Sequence, residues 1–355
     1  MSAILEAPFD PKLSGALLTA FLYYPDKLRS IVPTKIQPYI GSPALIRALK
    51  VLLVLGIVRG VNNKLSRLVL NNWKRNAKFI KSQEVVLITG GSSGIGESMA
   101  REFSSKGVKV VVMDVSPPKT PFPSNVSYYR VDITSPSQIA SAAAEIRKSH
   151  GDPTVLINNA GIGTLLPILE GSEEQTRKTF EVNTVSHFFL AREFLPAMIK
   201  KNHGHVVTIA SLASYLVHAV NVDYSCSKAS ALAFHEGLAS ELKSLYNAPN
   251  IRTTVVNPGW VRTPLAEDVI SQAGFKDTYL QPETVSNAVV DQVLAGRSGH
   301  IILPKNMSIM GTIRGWPWWL QTSLRNKVAL DLSFGSQTQP HPAVQTGNVA
   351  PAAST

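Results

Sequence analysis

Cysteine is almost missing from this chain. Cys226 stands alone among 355 residues, which excludes an intrachain disulfide framework and a cysteine-rich zinc site and makes a reducing, cytosol-facing setting the expectation. Acidic residues are absent between Asp26 and Glu84, where Arg47, Lys50, Arg59, Lys64, Arg67, Lys74, Arg75 and Lys78 alternate with Leu, Val and Ile. Residues 1–80 hold twelve Lys or Arg against Glu6, Asp10 and Asp26, so most of the formal charge of +11 lies there. Basic residues set among apolar ones, with few aromatics for base stacking, suit an anionic membrane surface and argue against nucleic acid. Long hydrophobic runs are also lacking. Val51–Val58, bracketed by Lys50 and Arg59, falls well short of the roughly 20 residues of a membrane-spanning helix. A helix lying in the membrane interface is expected, and a helix docked on the core or on a partner subunit stays open. The run begins too far along the chain for a cleavable secretory signal.

What the chain does have is enough apolar content, 44 %, to bury a full core. From Glu84 to Leu303, short β-branched runs alternate with longer helix-like stretches. The candidate strands are Val85–Thr89, Val108–Asp114, Val126–Val131, Val155–Asn158, His205–Ala210, Thr253–Val256 and His300–Leu303. Seven such strands predict one α/β domain, a doubly wound parallel sheet with helices on both faces. The expected division is a basic amphipathic helical leader (1–80), a catalytic domain (81–304), a Trp-rich extension (305–334) and a disordered tail (335–355) rich in Gln, Pro, Ala, Ser and Thr. Ile309–Arg325 carries Arg314, Trp316, Trp318 and Trp319, which suit a membrane boundary or the mouth of a lipophilic pocket, ordinary packing being the alternative.

The first chemical motif is Thr89-Gly90-Gly91-Ser92-Ser93-Gly94-Ile95-Gly96, between the strand Val85–Thr89 and a helix continuing through Met99 and Phe103. A strand, a glycine turn and a helix in succession bring a pyrophosphate against unpaired N–H groups and the positive end of a helix dipole. Asp114 closes the second strand, where a carboxylate accepts hydrogen bonds from adenosine ribose hydroxyls and repels a 2′-phosphate. No Arg or Lys lies in the glycine turn or directly after Asp114, so NAD is expected over NADP.

The second motif is Tyr224-Ser225-Cys226-Ser227-Lys228. Residues four apart share a helix face, so the phenol and the ammonium can approach one bound molecule. Bringing a tyrosine from about 10 to about 7 takes roughly 4 kcal/mol of phenolate stabilisation, and a lysine charge has the right sign for it. Ser211 follows the strand His205–Ala210, so a strand end can deliver its hydroxyl to the same place.

Together these residues resemble the short-chain dehydrogenase/reductase family over Glu84 to Leu303. The resemblance implies a Rossmann-type fold and hydride transfer between nicotinamide and an alcohol or carbonyl. It gives Asn159, Ala160 and Gly161 a place beside the cofactor, Asp132 a contact with the adenine, and Asn183 the support of a water-linked proton relay, with a helix-interior amide bonded to backbone as a coexisting reading. In Asn257-Pro258-Gly259-Trp260-Val261-Arg262-Thr263 it implies that Pro258, Gly259, Val261 and Thr263 meet the nicotinamide end, and that Pro264–Gln281 is the variable substrate loop. The catalytic set implied is Asn183, Ser211, Tyr224 and Lys228, of which Tyr224 and Lys228 also touch the cofactor. The leader, Asp114 and the Trp-rich end are similar to the membrane-associated retinol and 17β-hydroxysteroid dehydrogenase branch. That likeness implies a lipophilic alcohol or carbonyl (retinoid, steroid, fatty or polyketide-type) and attachment to endoplasmic reticulum or lipid droplet, while the family resemblance implies a homodimer or homotetramer paired through the helices that carry Asn183 and Tyr224. An NADPH-dependent carbonyl reductase and a non-catalytic membrane or lipid-droplet protein remain open.

Three features are expected to be bland. His203 and His205 read as turn and strand residues without carboxylate partners, not metal ligands; Cys226 reads as a small packing residue; and Asn125-Val126-Ser127 and Asn306-Met307-Ser308 read as unused glycosylation patterns.

Overall fold

The computed structural model describes residues 9–333, except 273 and 276. Two compact units divide the chain between Lys74 and Arg75. Among the described residues the first holds three α-helices, α1 (Pro11–Tyr23), α2 (Pro25–Ile31) and α3 (Pro43–Leu70). Each begins with a proline, whose missing N–H costs nothing in a first turn. Ser42 caps α3 by accepting from the Leu45 amide. The apolar run Val51–Val58 lies inside this 28-residue helix. Gly56 lets α3 approach the Phe9 carbonyl, where a Cβ would collide. The opposite face carries Val51, Val54, Val58, Val61, Leu65 and Val69 at spacings of three or four, each 47–60 % exposed. No helix among the described residues is long and apolar enough to cross a membrane.

The second unit alternates strands and helices: β1 (Val85–Thr89), α4 (Gly94–Ser105), β2 (Lys109–Asp114), β3 (Val126–Arg130), α5 (Pro136–His150), β4 (Val155–Asn158), α6 (Glu173–Phe180), α7 (Ser186–Lys201), β5 (His205–Ile209), α8 (Val222–Ser244), β6 (Arg252–Pro258), the short α9 (Glu267–Ile270), α10 (Pro282–Leu294), β7 (Gly299–Leu303) and α11 (Trp318–Ser333). All pairings are parallel, in the order β3-β2-β1-β4-β5-β6-β7. Because side chains alternate across a strand, Val85 and Leu87 join the core on one face while Val86 and Ile88 join the other. The strand order reverses direction between β1 and β4, the point where such sheets open a crevice at their carboxyl ends.

The seven strands match the predicted ones with small shifts at their ends. The largest is β6, which extends to Pro258 because its register with β7 pairs Asn257 with Ile302 and Pro258 with Leu303. The leader boundary also moves. Residues 75–80 belong to the second unit, since Arg252 donates to the Arg75 carbonyl at 2.6 Å and the Ala77 amide donates to Gly296 at 2.8 Å. His203 does have a carboxylate partner, contrary to expectation: its Nε2 lies 3.0 Å from Glu84 Oε1. Burial alone would raise the Glu84 carboxyl, but the bonds from His203 and Thr154 outweigh it and hold Glu84 below its usual value. The tail 335–355 lies outside the described residues.

Candidate active site

The crevice begins at the turn after β1. Gly90 adopts φ +63°, and a Cβ there would sit 2.7 Å from Ala160 Cα. Asn159 Nδ2 donates to the Thr89 and Gly90 carbonyls at 2.9 and 3.0 Å, while the Thr89 hydroxyl oxygen accepts from the amides of Asn159 and Ala160. The turn is thus stitched to the end of β4. Helix α4 then starts at Gly94, also at positive φ, and the side chain of its N-cap Ser93 makes no capping bond. That leaves first-turn N–H groups and the positive dipole end directed at the crevice. This is a cradle that side chains would fill, and it suits a pyrophosphate.

Gly90, Ser93, Gly94 and Ile95 line a cavity of about 670 Å³, within the usual range for ligand sites. Ser92 and Gly96, expected among the cofactor contacts, are not on its wall. Ser92 is buried, its amide donating to Asp114 Oδ2 at 3.0 Å and its hydroxyl lacking a partner among the described residues. Gly96 is a packing glycine, since a Cβ would collide with the Gly90 carbonyl. Asp114 lines the cavity beside the turn, where its second oxygen accepts from the Ser116 amide at 3.1 Å. Asp132 lines it too, bonded to Thr134 and 3.2 Å from Lys178 Nζ. Burial raises the Asp132 carboxyl, yet those partners prevail and hold it below its ordinary value. Lys178 is itself on the wall, a cation that the sequence pattern did not single out.

The same cavity receives Ser211, Tyr224 and Lys228. Ser211 follows β5, accepts from the Ala213 amide at 3.1 Å and donates to the Pro258 carbonyl at 3.3 Å. Tyr224 and Lys228 rise from one face of α8, with Lys228 Nζ 5.6 Å from the Tyr224 ring centroid. Lys228 is only 3 % exposed and donates to the Ile209 carbonyl at 2.9 Å. Burial brings its ammonium down to about 8. The Tyr224 phenol is pushed up by burial, against a smaller opposing hydrogen bond with Ser211. Among the chain's own groups, burial therefore outweighs the expected lowering of the tyrosine. Glycines make room for both side chains: a Cβ at Gly161 would lie 3.1 Å from Lys228 Nζ, and one at Gly163 would lie 3.0 Å from the Tyr224 ring.

Asn183 stands behind this wall, not on it. It is fully buried in a π-helical turn, Glu181–Val185, a distortion often found near functional sites. Its Oδ1 accepts from the Ile162 amide at 2.9 Å, and its Nδ2 donates to the Ile162 carbonyl and to Ser227 Oγ at 2.8 and 2.9 Å. Asn183 thus fixes the chain next to Gly161. Asn159, Ala160, Gly161, Pro258, Gly259, Val261 and Thr263 all border the cavity as expected.

The remaining wall is mostly apolar, with Leu165, Leu212, Leu216, Trp260, Met307 and Met310. The predicted substrate loop contributes Pro264, Leu265, Ala266, Asp277 and Thr278. The Trp cluster does not reach it. Trp318 and Trp319 are 77 and 70 % exposed, Trp316 packs on the satellite core around Tyr215 and Ile313, and the extension lines the cavity through Met307, Met310 and Val328 instead. Cys226 is exposed, not packed, because it points off the buried face of α8. No group of three or more His, Cys, Asp or Glu residues that could hold a metal occurs among the described residues.

A family model described as short chain dehydrogenase matches residues 84–274, more than half of the chain. The chain belongs to the short-chain dehydrogenase family. A relative named Dehydrogenase RED2, from Cochliobolus heterostrophus, is 47 % identical over 194 residues, covering 54 % of this chain and 73 % of its own. Estradiol 17-beta-dehydrogenase 11 of Homo sapiens is 32 % identical over 238 residues, 65 % of this chain and 78 % of its own. Among solved structures, levodione reductase superposes with a TM-score of 0.56 at 21 % identity, covering 64 % of this chain and 98 % of that one, which shows the shared fold. This short-chain dehydrogenase is an alcohol dehydrogenase or carbonyl reductase of the family's nicotinamide-dependent type, close to its retinol and 17β-hydroxysteroid dehydrogenase group.

Proposed function

We propose that this enzyme moves a hydride between NAD and a lipophilic primary or secondary alcohol or its carbonyl. The reading rests on one observation: Ser211, Tyr224 and Lys228 share a cavity with the glycine turn and Asp114, and the rest of its wall is largely apolar. When bound, the nicotinamide supplies the hydride acceptor or donor at C4 and, oxidised, a positive ring. The chain's residues handle the proton. In the oxidation direction Tyr224 Oη takes the hydroxyl proton, and in reduction it returns one to the incipient alkoxide. Ser211 Oγ hydrogen-bonds the substrate oxygen. Lys228, charged below about pH 8, favours the phenolate and would hold the nicotinamide ribose. Asn183 holds the backbone at Ile162, next to the Gly161 that faces Lys228, and the water-linked relay assigned to it rests on the family resemblance. Ser92 and Gly96, which are off the cavity wall, act only through the shape of the turn.

Asp114 supports NAD over NADP, because a 2′-phosphate beside its carboxylate is repelled and no Arg or Lys stands in the turn. Measured as kcat/KM, NAD is expected to exceed NADP by tenfold or more, on the order of one charge-assisted interaction. Asp114→Ser narrows that ratio. A wild-type preference for NADP would contradict the role of Asp114.

The exposed apolar stripe of α3 and the basic leader support attachment to an anionic membrane or lipid-droplet surface on its cytosolic side. In flotation with vesicles containing phosphatidylserine, the full chain is expected to float, and Val54→Asp with Val61→Asp to reduce it strongly. Equal flotation of both would remove the stripe from the account. Pairing into a homodimer or homotetramer through α7 and α8 belongs to the same reading, and sedimentation velocity reads it.

A further inference from the structure

We propose that His218 and Asn221 form a polar anchor for a second hydroxyl of the substrate, one that does not react. This rests on the dehydrogenase reading above and narrows its substrate class. Both residues line the cavity that holds Ser211 and Tyr224. In each, a buried polar atom has no hydrogen-bond partner among the described residues: Nδ1 of His218 and Oδ1 of Asn221. Leaving such atoms unpaired is costly, which makes them pointers to a ligand.

Asn221 is the sharper case. It occupies the N-cap of α8 and is only 5 % exposed. Asparagine at that position ordinarily bonds a first-turn amide, as Ser42, Ser135 and Ser172 do on their own helices. Asn221 makes no such bond, so its carbonyl oxygen is withheld from the helix it begins. Helix capping therefore does not account for the side chain.

His218 is held differently. Its ring stacks on Trp260 at 6.5 Å between centroids and 22° between planes, and Trp260 meets Phe275 edge-on. Trp260 is on the cavity wall, so the imidazole is fixed by an aromatic surface and not by a hydrogen bond. Burial lowers its pKa, against the smaller opposing charge of Asp277 on the substrate loop. The ring is then neutral at pH 7, with one nitrogen able to donate and the other to accept.

The chemistry of the pair selects the group it binds. The Asn221 oxygen can only accept, so its partner must carry a hydrogen. A ketone or ether cannot satisfy it. A hydroxyl can donate its single hydrogen to Asn221 Oδ1 and accept from the His218 ring when Nδ1 carries the proton. The reacting oxygen is already served by Ser211 and Tyr224, so the anchor reads a different oxygen. With Leu165, Leu212, Leu216, Met307 and Met310 lining the cavity, the substrate class is a lipophilic diol or hydroxy-carbonyl compound.

The test compares decan-2-ol with decanediols that add a second hydroxyl at carbons 5 to 9, using the full chain with NAD and NADP. The wild type is expected to favour one diol over decan-2-ol by about tenfold or more in kcat/KM, mainly through KM, which one buried hydrogen bond supplies. His218→Phe, which keeps a ring on Trp260, and Asn221→Leu are each expected to bring the ratio close to one. Taking the ratio within each variant cancels any general loss of activity, and Asn221→Ala provides a second, smaller replacement. If decan-2-ol turns over but no diol is favoured, or if the preference survives in all three variants, the anchor is refuted while the dehydrogenase reading stands. If none of these alcohols reduces either cofactor, the lipophilic-alcohol reading fails and the anchor falls with it.

Discussion

Tyr224→Phe is expected to lower kcat by about 10³-fold without unfolding the enzyme, because it removes the one hydroxyl that can carry the proton and little else. Tyr224 is the only phenol lining the cavity among the described residues. Its loss leaves Ser211 with two partners, the Ala213 amide and the Pro258 carbonyl, so no buried group is orphaned by the change. The phenylalanine ring fills the same space beside Gly163. Steady-state kinetics and a thermal midpoint measured on the same preparation separate the two effects. A variant that keeps its midpoint and also keeps its turnover would place the proton elsewhere.

Lys228→Met is expected to do two opposite things at once. Activity falls by at least about 100-fold, since the charge that favours the phenolate is gone. Stability near pH 7 rises. The folded ammonium has been taken from its ordinary 10.5 to about 8 by burial, so the charged form is disfavoured in the folded state. A lowered lysine value means that the unfolded chain binds more protons between about pH 8 and 10.5. The penalty is therefore fully present below about pH 8 and is relieved as pH climbs towards 10.5. Its size is about 3 kcal/mol, reduced by the hydrogen bond to Ile209 that methionine cannot make. Thermal melts should show the variant ahead of the wild type by a few degrees at pH 7, with the gap closing at high pH. A variant less stable than the wild type at pH 7 would mean that the lysine is a net support of the fold.

Much of the site was legible because its motifs are local. The glycine turn, Asp114, Ser211, and the Tyr224–Lys228 pair sit at the ends of strands or on a single helix face, where sequence spacing maps directly onto space. What escaped detection depends on segments distant in sequence. Glu84 and His203 meet across 119 positions, so no local pattern around either predicted the pair. Lys178 reaches the cavity only because α6 brings it to Asp132, and Asn221 was not singled out by any sequence pattern. Of the two places expected for the Trp-rich end, the pocket mouth is not where its rings lie: Trp318 and Trp319 face outward, and the extension meets the cavity through Met307, Met310 and Val328. The leader boundary was set too late because residues 75–80 contain the same basic pattern as the helix before them, while their backbone bonds tie them to the following unit. Cys226 was misjudged for want of the helix phase relative to the sheet. It lies two positions from Tyr224, which takes it off the buried face but does not say whether another element covers it.

Hydrogen is expected to leave the carbinol carbon as hydride while Tyr224 carries the proton. Decan-2-ol labelled with deuterium at carbon 2 tests it directly, by mass spectrometry of the nicotinamide after incubation with the full chain and NAD. Reduced nicotinamide one mass unit heavier, with the label at C4, is expected, formed about 10³-fold more slowly by Tyr224→Phe. Reduced nicotinamide that carries no label, or labelled product formed equally well by Tyr224→Phe, would contradict it.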